Sequence, residues 1–409
     1  MKRIFIFIFL LATYHVVFAQ QPNRCGSIDY MNLLKQQNPN WHQQYILDSI
    51  KLSQFDYSNL NNRVIITIPV VVHVIWKGAP EQISMAQVQS QIDVLNRDYR
   101  KQNPDTSQIP QIFHLVAADC QIQFCLAQQD PMGNPFNGVE YHQTTIDSFS
   151  VGNQMKVIPT GIPAWNPQKY LNLWVCRLAS STLGFSTIPP PILPFDDGCV
   201  IDFRAFGTIG TATPPYHLGR TATHEIGHWL GLQHIDGNAS GCGTDDGCDD
   251  TPLQDHQNFG CPSFPHVSCA PISDMFMNYM DYTDDVCMHM FSVCQGGKMF
   301  VTLYQLRDSI LSSNACQLPV NVNMNELDVL FSISPNPSNG NFNFYCGSEV
   351  NKNLHAEVFN TIGQKVFEQN FMLNGRGNLP MNISNQPQGI YFLKLTDGKN
   401  LLTRKLIIE

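Results

Sequence analysis

"TATHEIGHWLGLQH", residues 221–234, places three histidines and one glutamate at fixed intervals. His224 and His228 are four apart, so on a helix they stand one turn above the other on a common face. Two imidazoles so placed can hold one metal ion. Glu225 beside them can hydrogen-bond a water at that ion and act as general base. Ala222, Ile226, Trp229 and Leu230 fall toward the other side and give the helix an apolar face to bury. Gly231 allows the left-handed turn that ends the helix, and the reversal lets His234 return as a third ligand. Three neutral imidazoles leave the fourth tetrahedral position for water, the open arrangement of a catalytic zinc site; structural zinc sites fill all four positions. Peptide hydrolysis is the reaction these parts suit. Three solvated histidines on a surface helix would need neither the helix-breaking glycine nor the third histidine.

Around this motif, a chain of 409 residues exceeds one ordinary domain, so two or three folded units are expected. A charged fraction of 14% and a net charge of −9 argue against a disordered chain and against a nucleic-acid partner. The opening "MKRIFIFIFLLATYHVVFAQQ" has a basic start at Lys2 and Arg3, an apolar run and a small-residue "VFA" at Val17–Ala19. It reads as a secretory signal peptide over 1–19, too short and wrongly flanked for a membrane span, and no later apolar run is long enough for one. In an exported protein the thirteen cysteines can form disulfides, and an odd number leaves at least one without an intramolecular partner.

Residues 20–60 are rich in Gln and Asn without strong periodicity and read as a propeptide. "VIITIPVVVHVIW" (64–76) reads as a buried strand, with His73 as a core histidine whose hydrogen bonds are satisfied. In "SMAQVQSQIDVLNRDYRKQ" (84–102), Val88, Ile92, Leu95 and Tyr99 are spaced four, three and four apart, an amphipathic helix. "CQIQFCLAQ" and "YLNLWVCRLASSTLGFSTIP" supply further strands. Together with the histidine helix these predict an α+β catalytic domain over 61–318 with a mixed sheet. A linker covers 319–329, and short alternating strands over 330–409, with Asp397-Gly398 as a hairpin turn, predict a small all-β sandwich.

The longer motif, followed by a methionine turn, is the metzincin signature. "LGRTATHEIGHWLGLQH", "GCDDTP", "GCP" and "MNYMDYTDDVCM", with "IPVVVHVIW" and "LNLWVCRL", closely resemble the pappalysin family of metzincin zinc metallopeptidases over about residues 64–315. The resemblance implies a metzincin-type domain, a mixed twisted sheet with backing and active-site helices. Met280 would form the methionine turn beneath the zinc, and Tyr282 would help stabilise the oxyanion. Asp245, Asp246, Asp249 and Asp250 offer hard oxygen ligands suited to calcium, or else a solvated acidic loop. In the family calcium lies in this loop, and the matching positions are Asp246, the carbonyl of Asp249, and Thr251. The match also implies disulfides Cys242–Cys269 and Cys261–Cys287. Cys248 stands where the family usually has an aliphatic residue, and Cys294 is one candidate partner.

"SPNPSNG" and the closing "GIYFLKL…KLIIE" resemble the sorting domain of type IX secretion in the Bacteroidetes. The expectation is a monomeric zinc endopeptidase, secreted or at the cell surface, acting on proteins or peptides and exported by the type IX machinery. A cell-surface binding or adhesion protein with a structural metal site is the alternative, and Glu225 speaks against it, because a structural site has no use for a base. A metal-dependent amidase fits the family match less well. Finally, in "NRCGS" (23–27), Cys25 stands alone in the propeptide. Its thiolate could take the fourth zinc position and hold the enzyme latent. Arg24 would lower its pKa, and Gly26 would let the backbone approach closely. An ordinary disulfide to Cys120 or Cys125 is the competing reading.

Overall fold

The computed structural model describes residues 24–37, 43, 45–47, 64–189, 197–269, 271–318, 327 and 331–409. The signal peptide, most of the expected linker and much of the expected propeptide lie outside the described residues. Helix α1 (Ser27–Gln37) is followed by strand β1 (Ile66–Trp76), whose residues are nearly all buried. Both faces of β1 meet apolar neighbours, Val70, Val72 and Val74 on one side and Ile75 on the other. That is why its sequence is a continuous apolar run instead of an alternating one. His73 is buried, its Nδ1 2.9 Å from Glu140 Oε2 and its Nε2 2.9 Å from Asn172 Oδ1.

Helix α2 (Met85–Asp98) starts at Ser84, whose hydroxyl accepts from the Gln87 amide at 3.0 Å. Strands β2 (Ile122–Leu126), β3 (Val139–Gln143), β4 (Leu171–Cys176), β5 (Gly184–Ser186) and β6 (Cys199–Asp202) complete a six-stranded sheet. Its order is β2-β1-β4-β6-β5, with β3 beside the C-terminal half of β1. Every pair is parallel except β5–β6, so an antiparallel strand forms one edge. Helix α3 (Arg220–Trp229) packs against α2 under this sheet, where Val88, Ile92 and Leu95 meet Ala222, Ile226 and Trp229.

Two buried arginines hold the ends of α3. Arg220 contacts Asp98 and lies 2.8 Å from Asp105 and 2.7 Å from the Tyr279 hydroxyl. Arg307 donates to the Trp229 carbonyl at 3.0 Å and forms a two-pronged pair with Asp197 at 2.8 and 2.9 Å. The short pair β7 (Phe259–Gly260) and β8 (Tyr282–Thr283) precedes helix α4 (Val293–Leu306), which opens with a Ser292/Gln295 capping box. Disulfides join Cys125 to Cys316, Cys242 to Cys269, Cys248 to Cys294 and Cys261 to Cys287.

The C-terminal unit contains β9 (Phe331–Ser334), β10 (Asn341–Asn360), β11 (Lys365–Asn382), β12 (Gly389–Thr396) and β13 (Leu401–Ile408), all antiparallel. A register shift between Cys346 and Val350 divides β10 into halves with different neighbours, β9 on one and β12 on the other. Phe342 and Phe344 from one half share a single core with Ala356 and Val358 from the other, Leu393 of β12 and Leu406 of β13, which makes the unit a sandwich. Asp397 and Gly398 form its last hairpin turn, with the Asn400 amide donating to Asp397 Oδ1 at 2.7 Å.

One element was not legible as a pattern. Helix α1 lies in the stretch that shows no strong periodicity, because eleven residues carry only Tyr30, Met31 and Leu34 as large buried groups. These three complete a cluster with Phe149, Met155, Trp174, Phe185 and Val200, on the sheet face turned away from α3.

Candidate active site

The helix spacing brings His224 and His228 to one face, and Gly231, at φ +90°, turns the chain so that His234 joins them. The three Nε2 atoms converge to 2.9–3.2 Å from one another. Each Nδ1 is held from behind, that of His224 2.7 Å from the Tyr279 carbonyl and that of His228 2.8 Å from the Leu232 carbonyl; His234 uses the Asn238 side-chain oxygen. Donation from Nδ1 fixes the tautomer that leaves each Nε2 lone pair free for a metal. Burial, reinforced by the neighbouring imidazoles, pushes His224 and His234 well below the usual histidine range, and burial lowers His228 to about 4. Neutral imidazoles aimed at one point are the donor set zinc requires.

Glu225 is buried beside them. Its Oε1 has no hydrogen-bond partner among the described residues, which is costly unless a ligand or water fills the place. Burial pushes its carboxyl up to about 8 against the opposing bonds from Ser27 and Cys25. A Cβ at Gly184 would come within 2.8 Å of Glu225 Cγ, so the edge strand β5 runs directly over this carboxyl. Beneath the helix, Met280 Sδ lies 2.5 Å from where a Cβ of Gly227 would stand, so any larger residue there would have to displace the methionine. The Tyr282 hydroxyl is 3.1 Å from His234 Nε2.

Arg24–Ser27 occupies the cleft. Cys25 Sγ and the three histidine nitrogens all lie within 4.8 Å of one another, and Cys25 is in no disulfide. Cys120 is in no disulfide either, and Cys125 is bonded to Cys316, so neither is a disulfide partner for Cys25. The expected effect of Arg24 on the thiol does not hold: burial, then the Glu225 charge, raise the Cys25 pKa well above its ordinary value. The Arg24 guanidinium turns away instead. It donates to the Thr283 carbonyl and lies 3.2 Å from Asp285 Oδ1, 3.4 Å from Met288 Sδ and over the Tyr216 ring at 5.0 Å. The backbone pairs with the sheet edge, Gly26 N donating to Gly184 O at 2.8 Å and Leu183 N to Arg24 O at 2.9 Å, and it runs parallel to β5. Ser27 Oγ donates to Glu225 Oε2 at 2.9 Å.

In the acidic loop, Asp246 Oδ1 accepts from Thr251 Oγ1 at 2.6 Å, and Thr251 Oγ1 lies 2.7 Å from the Cys248 carbonyl. Asp249 is exposed. Asp250 accepts instead from Ser292 Oγ at 2.6 Å and from the Cys294 amide at 2.9 Å, capping α4. The Lys298 ammonium sits on the Asp246 carbonyl. Sequence reasoning missed Asp285 and Asn238: an aspartate in "DDVC" and an asparagine four residues after the third histidine carry no spacing signal, and Asp285 meets Arg24 only across a sequence separation of 261.

This fold and this three-histidine centre define a metzincin-type zinc metalloendopeptidase. A sequence profile described as pregnancy-associated plasma protein-A matches residues 159–304, and one described as a secretion system C-terminal sorting domain matches residues 332–409. An extracellular metalloprotease of Arthroderma benhamiae is 29% identical over 270 residues, covering 64% of this chain and 79% of that protein. One from Pyricularia oryzae is 31% identical over 253 residues, covering 59% and 76%. Tannerella forsythia promirolysin, solved as a glutamate-to-alanine mutant, is 38% identical with TM-score 0.66, covering 72% of this chain and 99% of that one. Mature mirolysin of the same organism, in complex with a cleaved peptide, is 41% identical with TM-score 0.61, covering 63% and 99%. The chain belongs to the pappalysin family, and it is a secreted or cell-surface zinc metalloendopeptidase.

Proposed function

We propose that the chain is a zymogen whose mature form cleaves proteins beside basic residues, with His224, His228 and His234 holding the zinc. Glu225 takes the proton from the attacking water and passes it to the leaving amine. Tyr282 donates its hydroxyl to the developing oxyanion, and Met280 is the floor that sets the height of α3. Zinc, when bound, supplies a polarised carbonyl and a more acidic water. The observation that carries the reading is the convergence of three lone pairs beside the partnerless Glu225 Oε1, under a sheet edge that already pairs with a peptide backbone.

The same geometry supports a substrate class. Arg24 is adjacent to the residue at the metal centre, and its guanidinium fills a pocket ending in the buried Asp285. A substrate strand paired antiparallel to β5, opposite in direction to the inhibitory segment, would place there the residue following the scissile bond. The expected products begin with Arg or Lys. N-terminal sequencing of peptides cut from a denatured proteome tests this, and new N termini without basic enrichment would remove the specificity.

Latency would rest on Cys25 at the fourth metal position and Ser27 on the base. The likeness to promirolysin covers 72% of the chain against 63% for mature mirolysin, which supports a removable segment within residues 20–60. The remaining boundaries proposed are 61–318 for the catalytic domain, 319–329 for the linker and 330–409 for the sorting domain, whose match supports export by the type IX machinery. Cys25→Ala should shorten the lag of self-activation several-fold, because the remaining contacts hold the segment without a metal ligand. An unchanged activation time course would remove the cysteine from the latency device.

Calcium is the finer cofactor proposal. The oxygens of Asp246, Thr251 and Cys248 lie close enough to share one cation, with Asp249 adding its carbonyl. At a hundredfold excess over Kd calcium should stabilise the protein by about 2.7 kcal/mol, several degrees in melting temperature. Melting with a calcium-selective chelator in zinc-buffered solution measures it, and equal midpoints would leave the loop a solvated surface steadied by Lys298 and the Cys248–Cys294 bond.

A further inference from the structure

The inhibitory segment covers a second feature, on the sheet face turned away from α3. Lys156 is wholly buried. Its ammonium lies 4.6 Å from the ring centroid of Tyr30, 4.9 Å from that of Trp174 and 5.7 Å from that of Phe185. It also donates to the Tyr30 hydroxyl at 3.2 Å. The Tyr30 ring packs against Phe185 with centroids 5.1 Å apart. Of these four residues only Tyr30 belongs to α1; Trp174 is on β4 and Phe185 on the edge strand β5.

A cation taken wholly out of water is costly unless oriented groups replace its hydration, and aromatic faces are one such replacement. Here one wall of the cage lies on the segment that leaves, so activation opens it. The cage also adjoins the edge on which substrate backbone would lie, because Gly184 faces Glu225 and the next residue, Phe185, points to the other side. The segment places Arg24 in the Asp285 pocket and Tyr30 beyond Cys25 in the opposite direction. A substrate with its basic residue after the scissile bond would therefore extend toward the Tyr30 seat with the residues before that bond.

We infer that the seat vacated by Tyr30 is a substrate subsite for a tyrosine side chain on the N-terminal side of the scissile bond. Lys156 hydrogen-bonds the phenol, and Trp174 and Phe185 receive the ring. This rests on the reading of the Cys25 segment as a removable inhibitor. Phenylalanine fills the same walls without the hydroxyl that Lys156 meets, and leucine supplies no face for the cation, so the expected order is tyrosine, phenylalanine, leucine.

The test uses the mature enzyme obtained by processing of the full chain. Fluorogenic peptides keep arginine after the scissile bond and carry tyrosine, phenylalanine, glutamate or leucine in turn at each upstream position. At one position tyrosine should raise kcat/KM about tenfold over leucine. Lys156→Met should abolish the advantage of tyrosine over phenylalanine, read as a ratio so that total activity does not enter. A synthetic peptide of residues 27–37, which lacks Cys25, should compete with the tyrosine substrate and lose potency on Tyr30→Leu. That competition decides the matter if the lysine variant does not fold. A processed enzyme indifferent to tyrosine everywhere, or a Tyr/Phe ratio unchanged by Lys156→Met, overturns the subsite. An active enzyme whose N terminus still includes Tyr30 overturns both the subsite and the latency reading.

Discussion

Glu225→Gln lowers kcat by about 10²–10⁴-fold, the range supplied by a positioned general base, while the purified protein keeps its zinc. The amide preserves the shape of the side chain in a site where β5 leaves no room for anything larger, but it cannot accept the proton of the attacking water. The three imidazoles are held by Tyr279, Leu232 and Asn238, none of which depends on the carboxylate, so metal binding is untouched. His234→Ala is the contrasting variant, losing zinc and activity together because one of three donors is gone. Elemental analysis beside a peptide assay separates the two. Near-normal turnover in Glu225→Gln would exclude it as the base, and unchanged zinc in His234→Ala would exclude the third ligand.

Asp285→Asn should cost about 10²–10⁴-fold in kcat/KM on arginine substrates, since breaking a buried ion pair typically costs about 3–5 kcal/mol. The change is chosen to spare the fold. Asp285 Oδ2 accepts from the Leu218 amide at 2.8 Å and the Arg220 amide at 3.2 Å, and an asparagine oxygen can accept both. What is lost is the charge facing the guanidinium, so substrates with an apolar residue at that position should lose far less. Kinetics on paired peptides differing only there give the ratio. Equal losses on both would mean that Asp285 supports the cleft and does not select the side chain.

The catalytic core was legible in the chain because its chemistry is local. Two histidines one helical turn apart, a glutamate between them and a third histidine after a chain-reversing glycine point to a metal centre before any tertiary contact is known, and the apolar positions of α3 state which face is buried. The strand at 64–76 and the helix at 84–102 were equally plain, since burial on two faces or on one leaves a run or a stripe. The alternating C-terminal strands and the Asp397-Gly398 turn belong to the same class of short-range signal. Two disulfides within the second half, Cys242–Cys269 and Cys261–Cys287, came from family resemblance, because cysteine spacing alone leaves the pairings open.

What only the tertiary structure decided depends on residues far apart in the chain. Asp285 becomes a specificity candidate when Arg24 reaches it across a sequence separation of 261, and neither residue carries a pattern. Arg24 was expected to tune the thiol beside it, but its guanidinium turns into that pocket and leaves Cys25 to burial and the Glu225 charge. Helix α1 is too short and too polar to announce itself, and it is read as a helix only where Tyr30, Met31 and Leu34 find an apolar face to cover. Lys156 looks like any surface lysine until Trp174 and Phe185 close around it. Periodicity records which face of an element is buried; it does not record what lies against that face, and the cleft, the Arg24–Ser27 segment within it and the lysine cage are all made of such meetings.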